Sequence, residues 1–160
     1  MIKKIFSFIL ALAAVITLVS CDGEKIFGHA ELRLPLSEDF REFEAETFDA
    51  AYSDGNILVA VYRVSFAAGM EDGIPETLTP EQFARLYKKS SGRDAEIKKK
   101  GLTPYYEYSE TQNGVKSCYL ASFYRSKYAY FAVLFAAPEG IYSEKLPEIF
   151  SYIENVIFVY

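Results

Sequence analysis

YYEYSETQNGVKSCYLASFYRSKYAYFAVLF, residues 105–135, decides the architecture. Tyr105–Glu110 and Val115–Tyr124 are aromatic-rich runs parted by Asn113-Gly114, a pair that tolerates the positive φ of a tight hairpin turn. Ser126-Lys127 marks the next turn, and Tyr128–Phe135 reads as a third strand. Strands joined by turns this short pair with their chain neighbours and run antiparallel. The stretch is therefore a β-meander, and the rest of the chain is read by how it covers it.

Upstream, Leu32, Leu34 and Leu36 alternate with Glu31, Arg33 and Pro35, so Ala30–Leu36 reads as a strand with one buried face. Phe48–Tyr52 is a second strand, Asp54-Gly55 a turn, and Asn56–Phe66 the longest strand. The run Ile57–Tyr62 is apolar on both sides, which places it inside a sheet covered twice. Residues 67–78, with Gly69, Gly73 and Pro75, read as a loop. At Thr79-Pro80-Glu81-Gln82 three helix-start signals agree: a capping hydroxyl, a proline at the first position, and a Gln that completes a capping box. Phe83, Leu86 and Tyr87 form that helix's apolar stripe, and Gly92 ends it. A charged connector, Arg93 to Lys100, leads into the meander. A final helix carries Tyr142, Leu146, Ile149, Phe150 and Ile153, with Pro147 expected in its first turn, and Val156–Tyr160 reads as a closing strand. The class is α+β, a mainly antiparallel sheet of six or seven strands with two principal helices.

The order of elements resembles the PsbP-like family, whose fold is also that of a small nuclear-import factor that binds the GTPase Ran. The features carrying the resemblance are Leu34-Pro35-Leu36 with Phe40 and Phe43, the Ile57–Phe66 strand, and Leu78-Thr79-Pro80-Glu81-Gln82-Phe83. The meander Tyr105…Tyr119…Tyr130 and the closing Ile149-Phe150-Ser151-Tyr152-Ile153…Ile157-Phe158 complete them. It spans about residues 30–160 and implies an α/β/α sandwich acting as an accessory or adaptor domain. No functional residue of the family is carried over, because none matches a motif here.

The N-terminus has a different character. Lys3 and Lys4 precede an apolar run from Ile5 to Val19, the pattern of a secretion signal. As a helix this run reaches about 22 Å, short of the roughly 30 Å a spanning helix must cross. It ends in Leu18-Val19-Ser20-Cys21, which resembles the lipobox of bacterial lipoproteins. The resemblance implies cleavage between Ser20 and Cys21 and a diacylglyceryl group on the Cys21 sulfur. Residues 1–20 are then a signal peptide, 21–29 the lipidated cysteine with a short tether, and 30–160 a single domain. The expected place is the extracytoplasmic side of a cell membrane, its leaflet left open.

Composition narrows the function. The chain has 17 basic and 22 acidic side chains; without Lys3 and Lys4 the balance is 15 against 22, a formal charge of −7. Nucleic acid is therefore not an expected partner. His29 is the sole histidine, so a histidine-based triad has little to build on and a two-histidine metal site within one chain has nothing. Cys118 lies in a strand pattern and reads as a small buried apolar residue, although Lys116 on the same face leaves a reactive thiolate as an alternative. Glu38, Asp39, Glu42, Glu44, Glu46 and Asp49 read as a solvated acidic face, since no Asp-x-Asp-x-Asp calcium loop is present. Arg85, Lys88, Lys89, Arg93, Lys98, Lys99 and Lys100 form the one basic stretch, a candidate surface for a partner or the membrane. No catalytic residue, metal or cofactor is implied. The expectation is a membrane-anchored binding or accessory module with a protein partner; the alternatives are a carboxylate- or metal-dependent envelope hydrolase and a purely structural envelope component.

Overall fold

The structure, a computed structural model, describes residues 27–160. The signal peptide, Ser20, Cys21 and most of the tether lie outside the described residues. The described chain runs β1 (Phe27–His29), β2 (Leu32–Leu34), β3 (Arg41–Glu42), β4 (Ala50–Ser53), β5 (Leu58–Ser65), α1 (Phe66–Glu71), α2 (Pro80–Ser90), β6 (Lys98–Lys100), β7 (Thr103–Gln112), β8 (Val115–Arg125), β9 (Ala129–Pro138), α3 (Glu139–Glu154) and β10 (Ile157–Phe158). It is α+β, as its patterning implies.

Seven strands form an antiparallel sheet in the order β3-β4-β5-β9-β8-β7-β6. The meander supplies three of the seven strands. Asn113 and Gly114 sit at φ 50° and 79°, the two positive values that an Asn-Gly hairpin turn demands. β5 is interior, as its two apolar faces require, and β9 is the middle strand. A second sheet of three strands, β1-β2-β10, stands apart.

Alternation along β5, β8 and β9 separates two cores. Val59, Val61, Leu120, Phe131, Val133 and Phe135 face Ile149, Tyr152 and Ile153 of α3, with Phe27, Leu32, Leu34 and Phe40 completing that layer. On the opposite face, Val64, Ala121, Phe123, Tyr130 and Ala132 meet Phe83, Ala84 and Tyr87 of α2. Helix α2 begins as its sequence dictates. Thr79 Oγ1 accepts from Gln82 N–H at 3.2 Å, Gln82 Oε1 accepts from Thr79 N–H at 2.8 Å, and Pro80 takes the first position.

Four elements differ from the sequence reading. The 67–78 segment is not all loop: Ser65 caps the short helix α1 by accepting from Ala68 N–H at 3.2 Å. Lys98–Lys100 is an edge strand rather than connector, because it can pair with β7 through Lys98 opposite Tyr105. Pro147 lies inside α3, not in its first turn, since the helix already begins at Glu139. Its missing N–H falls opposite the carbonyl of Ser143, an exposed residue. Finally, Phe27–His29 is already a paired strand of the body, so the domain includes residues the tether was expected to hold.

Phe123 is fully buried, stacked with Tyr106 at 5.5 Å and edge-on to Phe83 and Tyr87. Phe123→Ala should cost about 3–5 kcal/mol in urea denaturation. A loss below 1 kcal/mol contradicts the assignment of this face as a packed core.

Candidate functional site

The basic stretch lies along α2 and the β6–β7 edge, and it is threaded with carboxylates. Glu81, in the first turn of α2, takes Arg85 at 2.7 Å and Lys99 at 2.9 Å. Lys99, and then Arg85, pull its carboxyl down to about 2. Lys98 reaches Glu107 at 3.3 Å, and Lys100 reaches Glu154 at 3.7 Å while lying 5.0 Å from the Phe150 ring centre. Arg93 pairs with Glu110 and lies 3.9 Å over the Tyr108 ring, which is itself stacked on Tyr119 at 4.8 Å. Lys88 donates to the Ala95 carbonyl at 2.8 Å. Lys89 is exposed in the last turn of the helix. The stretch is thus a surface of paired charges. Exposed pairs of this kind are weak, so the cations remain exchangeable for a partner's acids. On β6, three consecutive lysines also keep the sheet edge from recruiting another strand.

A second cluster was invisible in the sequence. Glu31, expected on the solvent side of its strand, is buried, its side chain only 8% exposed. Ala30 turns the backbone with φ 49°, which releases Glu31 from the alternation of β2 and aims it inward. There it accepts from the Ser126 hydroxyl at 2.6 Å and from Arg63 Nε at 3.3 Å. Burial raises the cost of its charge, but Ser126, the backbone and Arg63 outweigh it and hold the carboxyl below the usual range. Ser126 also accepts from Tyr128 and Ala129 N–H at 3.0 and 2.9 Å, closing the β8–β9 turn. Arg63 N–H donates to Asp49 at 2.6 Å, and Asp49 stands 4.0 Å from His29 Nε2. Five residues from four separate segments are thereby linked. Nothing in the spacing of Glu31, Arg63 and Ser126 announces it; the one available signal was Ser126, a turn residue with a free hydroxyl.

The reactive side chains are occupied or quiet. Burial pushes the Cys118 thiol up, and Glu139 adds to this more than Lys116 offsets it. The Lys116 ammonium is itself paired with Glu139. The Tyr142 hydroxyl donates to Glu107 at 2.9 Å, burial and that carboxylate both driving its pKa upward. Among the described residues no group of three His, Cys, Asp or Glu is placed to hold a metal, and no helix is long and apolar enough to cross a membrane. Glu38, Asp39, Glu42, Glu44, Glu46 and Asp49 are all exposed. Beside Pro138, Ser53, Asn56, Ile57 and Ser117 line a dent of about 10 Å³, room for a single water.

No family model matches this sequence, and neither does any curated protein. Solved structures do. A crystal structure from Bacteroides thetaiotaomicron VPI-5482 superposes with a TM-score of 0.54 at 13% identity, over 81% of this chain and 46% of the other. This chain thus spans about half the length of that structure. The cyanobacterial PsbP (CyanoP) of Synechocystis sp. PCC 6803 gives a TM-score of 0.47 at 12% identity, over 89% of this chain and 99% of the other. LpqN of Mycobacterium tuberculosis, described as involved in cell envelope biogenesis, gives 0.48 at 10% identity, over 81% and 83%. At such identities a likeness is one of fold.

Two outcomes follow from the geometry. Because Glu31 titrates below its ordinary value of 4.5 when folded, its contribution is present above that value and is lost as the pH falls through the folded pKa. Ser126→Ala should flatten this acid-side loss and cost about 1–3 kcal/mol at neutral pH; an unchanged stability profile contradicts the linkage. Cys118, with its thiol pushed up, should react with a maleimide at pH 7 more slowly than free cysteine does. Reaction at an equal or faster rate contradicts the assignment of a quiet thiol.

Proposed function

We propose that the chain is a lipid-anchored, non-enzymatic accessory module of the cell envelope, which docks a protein partner close to the membrane through its α2 flank. The observation that supports this most is the disposition of polar chemistry. Glu31, Ser126 and Arg63 are consumed in fastening the body, while the α2 flank carries exchangeable surface ion pairs. A partner that offers carboxylates to Arg85 and Lys99 replaces those pairs at small cost, and Lys89 stands exposed beside them.

The anchor part of the reading is carried by Lys3, Lys4, the apolar Ile5–Val19 run and Leu18-Val19-Ser20-Cys21. Two acyl chains on Cys21 hold a protein stably at a bilayer where one holds it weakly. The body is read as PsbP-like on the order of its elements.

Two variants test the two halves separately. Cys21→Ser should abolish acyl labelling and move the protein out of the membrane fraction; retention there with unchanged labelling removes the anchor. Arg85→Glu combined with Lys89→Glu should lose a partner that the wild type captures from detergent-solubilised membranes, at unchanged thermal stability. An identical set of captured proteins removes the α2 flank as the docking surface.

A further inference from the structure

Large apolar side chains crowd the surface where the small sheet meets the β8–β9 turn. Tyr128 is 50% exposed, Ile157 60%, Val159 51% and Tyr160 71%. The Tyr128 and Tyr160 rings stand 6.0 Å apart, edge to face. Lys127 joins them: its N–H donates to the Tyr160 hydroxyl at 3.2 Å, and its ammonium lies 5.3 Å from the Tyr128 ring centre. Along β10, Phe158 turns inward onto Phe131 and Tyr124, at 5.7 and 6.4 Å. Alternation then sends Ile157 and Val159 outward. Ile157 sits opposite Arg33 in the register of β10 with β2. The surface is apolar and aromatic at its centre, with Arg33 and Lys127 beside it. The nearest carboxylate of the hairpin, Glu31, is buried and paired.

We infer that this surface lies in the headgroup layer of an anionic bilayer, so that the body rests on the membrane instead of hanging from it. The inference deepens the reading given above and rests on its lipid anchor. Six peptide steps from Cys21 to Phe27 span at most about 20 Å when fully extended. Phe27 opens β1, and β10 lies two strands away, about 10 Å across the small sheet. The tether therefore delivers this sheet to the bilayer before any other part of the body. What it delivers is interface chemistry: tyrosines with an apolar body and a polar tip, aliphatic side chains, and cations on long stems. Without residues 1–20 the chain has formal charge −7 and is repelled by anionic lipid over most of its surface; the cations of the α2 flank are engaged with carboxylates, which leaves this patch as the face that approaches.

The sequence contains no tryptophan, so a single introduced indole is a clean reporter. Tyr128→Trp places it in the patch. Val115→Trp, at a position 56% exposed, places it at the opposite end of β8, about 30 Å away. The lipidated full chain is reconstituted in vesicles of phosphatidylglycerol with brominated phosphatidylcholine, and flotation is read alongside fluorescence. The expected result is that the chain floats, with Tyr128→Trp emission blue-shifted and strongly quenched while Val115→Trp emission stays water-like. Ile157→Trp repeats the reading from the sheet face. A chain that floats with neither or both reporters quenched overturns the resting surface and leaves the anchor standing. Shielding of the Tyr128→Trp indole in cell membranes but not in protein-free vesicles assigns the patch to a protein partner and also overturns it. A chain that fails to float removes the anchor, and the inference with it.

Discussion

β9 runs through the middle of the sheet with both faces buried, and the remaining elements are arranged around that constraint. Its neighbours β5 and β8 satisfy its backbone on either side, but a sheet buried twice needs two covers. The side chains divide the work by size. Toward α3 stand Phe131, Val133 and Phe135; toward α2 stand Tyr130 and Ala132, the latter small enough to let a helix approach, and further along the same face Ala136 packs with Leu58, Ala60 and Tyr119. Polar groups caught between the layers find partners. The Tyr130 hydroxyl bridges the Pro75 carbonyl and the Leu78 N–H at 2.8 Å each, tying the α1–α2 loop to the sheet. Ser122 donates to Val133 O at 3.1 Å, and Tyr124 to Ile153 O at 3.2 Å.

The small sheet is fastened to this body by a few specific contacts. Within the β1–β2 hairpin, Gly28 lies so close to Leu32 that an added Cβ meets its carbonyl oxygen at 2.1 Å; toward the main sheet, the Gly28 N–H donates to the Tyr52 hydroxyl at 3.0 Å. One turn further along the chain, Glu31 reaches Ser126 and Arg63. In an anchored protein, load from the tether enters at β1. In the proposed anchored state the Tyr52 and Ser126 bonds pass it to the main sheet.

Much of the fold was legible because its signals are local. The capping box at Thr79 and Gln82, the Asn113-Gly114 turn and the double-sided Ile57–Tyr62 run each state their structure within a few residues. What escaped is non-local. Glu31 looked solvent-facing because alternation counts side chains along one strand and takes no account of a hydroxyl and a guanidinium 95 and 32 positions away. Lys98–Lys100 is a poor strand by propensity and becomes one only because Tyr105, Pro104 and Thr103 lie beside it. The basic stretch read as a cationic surface because Glu107, Glu110 and Glu154 are supplied by other elements. The basic residues were legible as a stretch of sequence, while the carboxylates that balance them required the fold.

In the proposed reading an acidic, histidine-poor body makes its contacts at its surface and is held in position by a short chain to a lipid. Placement is the proposal that gives those surfaces their meaning, since six peptide steps from a lipidated Cys21 would confine the small sheet to the bilayer's edge. Mass spectrometry of the N-terminal peptide, from protein extracted out of membranes, measures it directly. The account predicts a chain beginning at Cys21 and carrying a diacylglyceryl thioether on its sulfur. A peptide retaining residues before Cys21, or an unmodified Cys21 thiol, contradicts it.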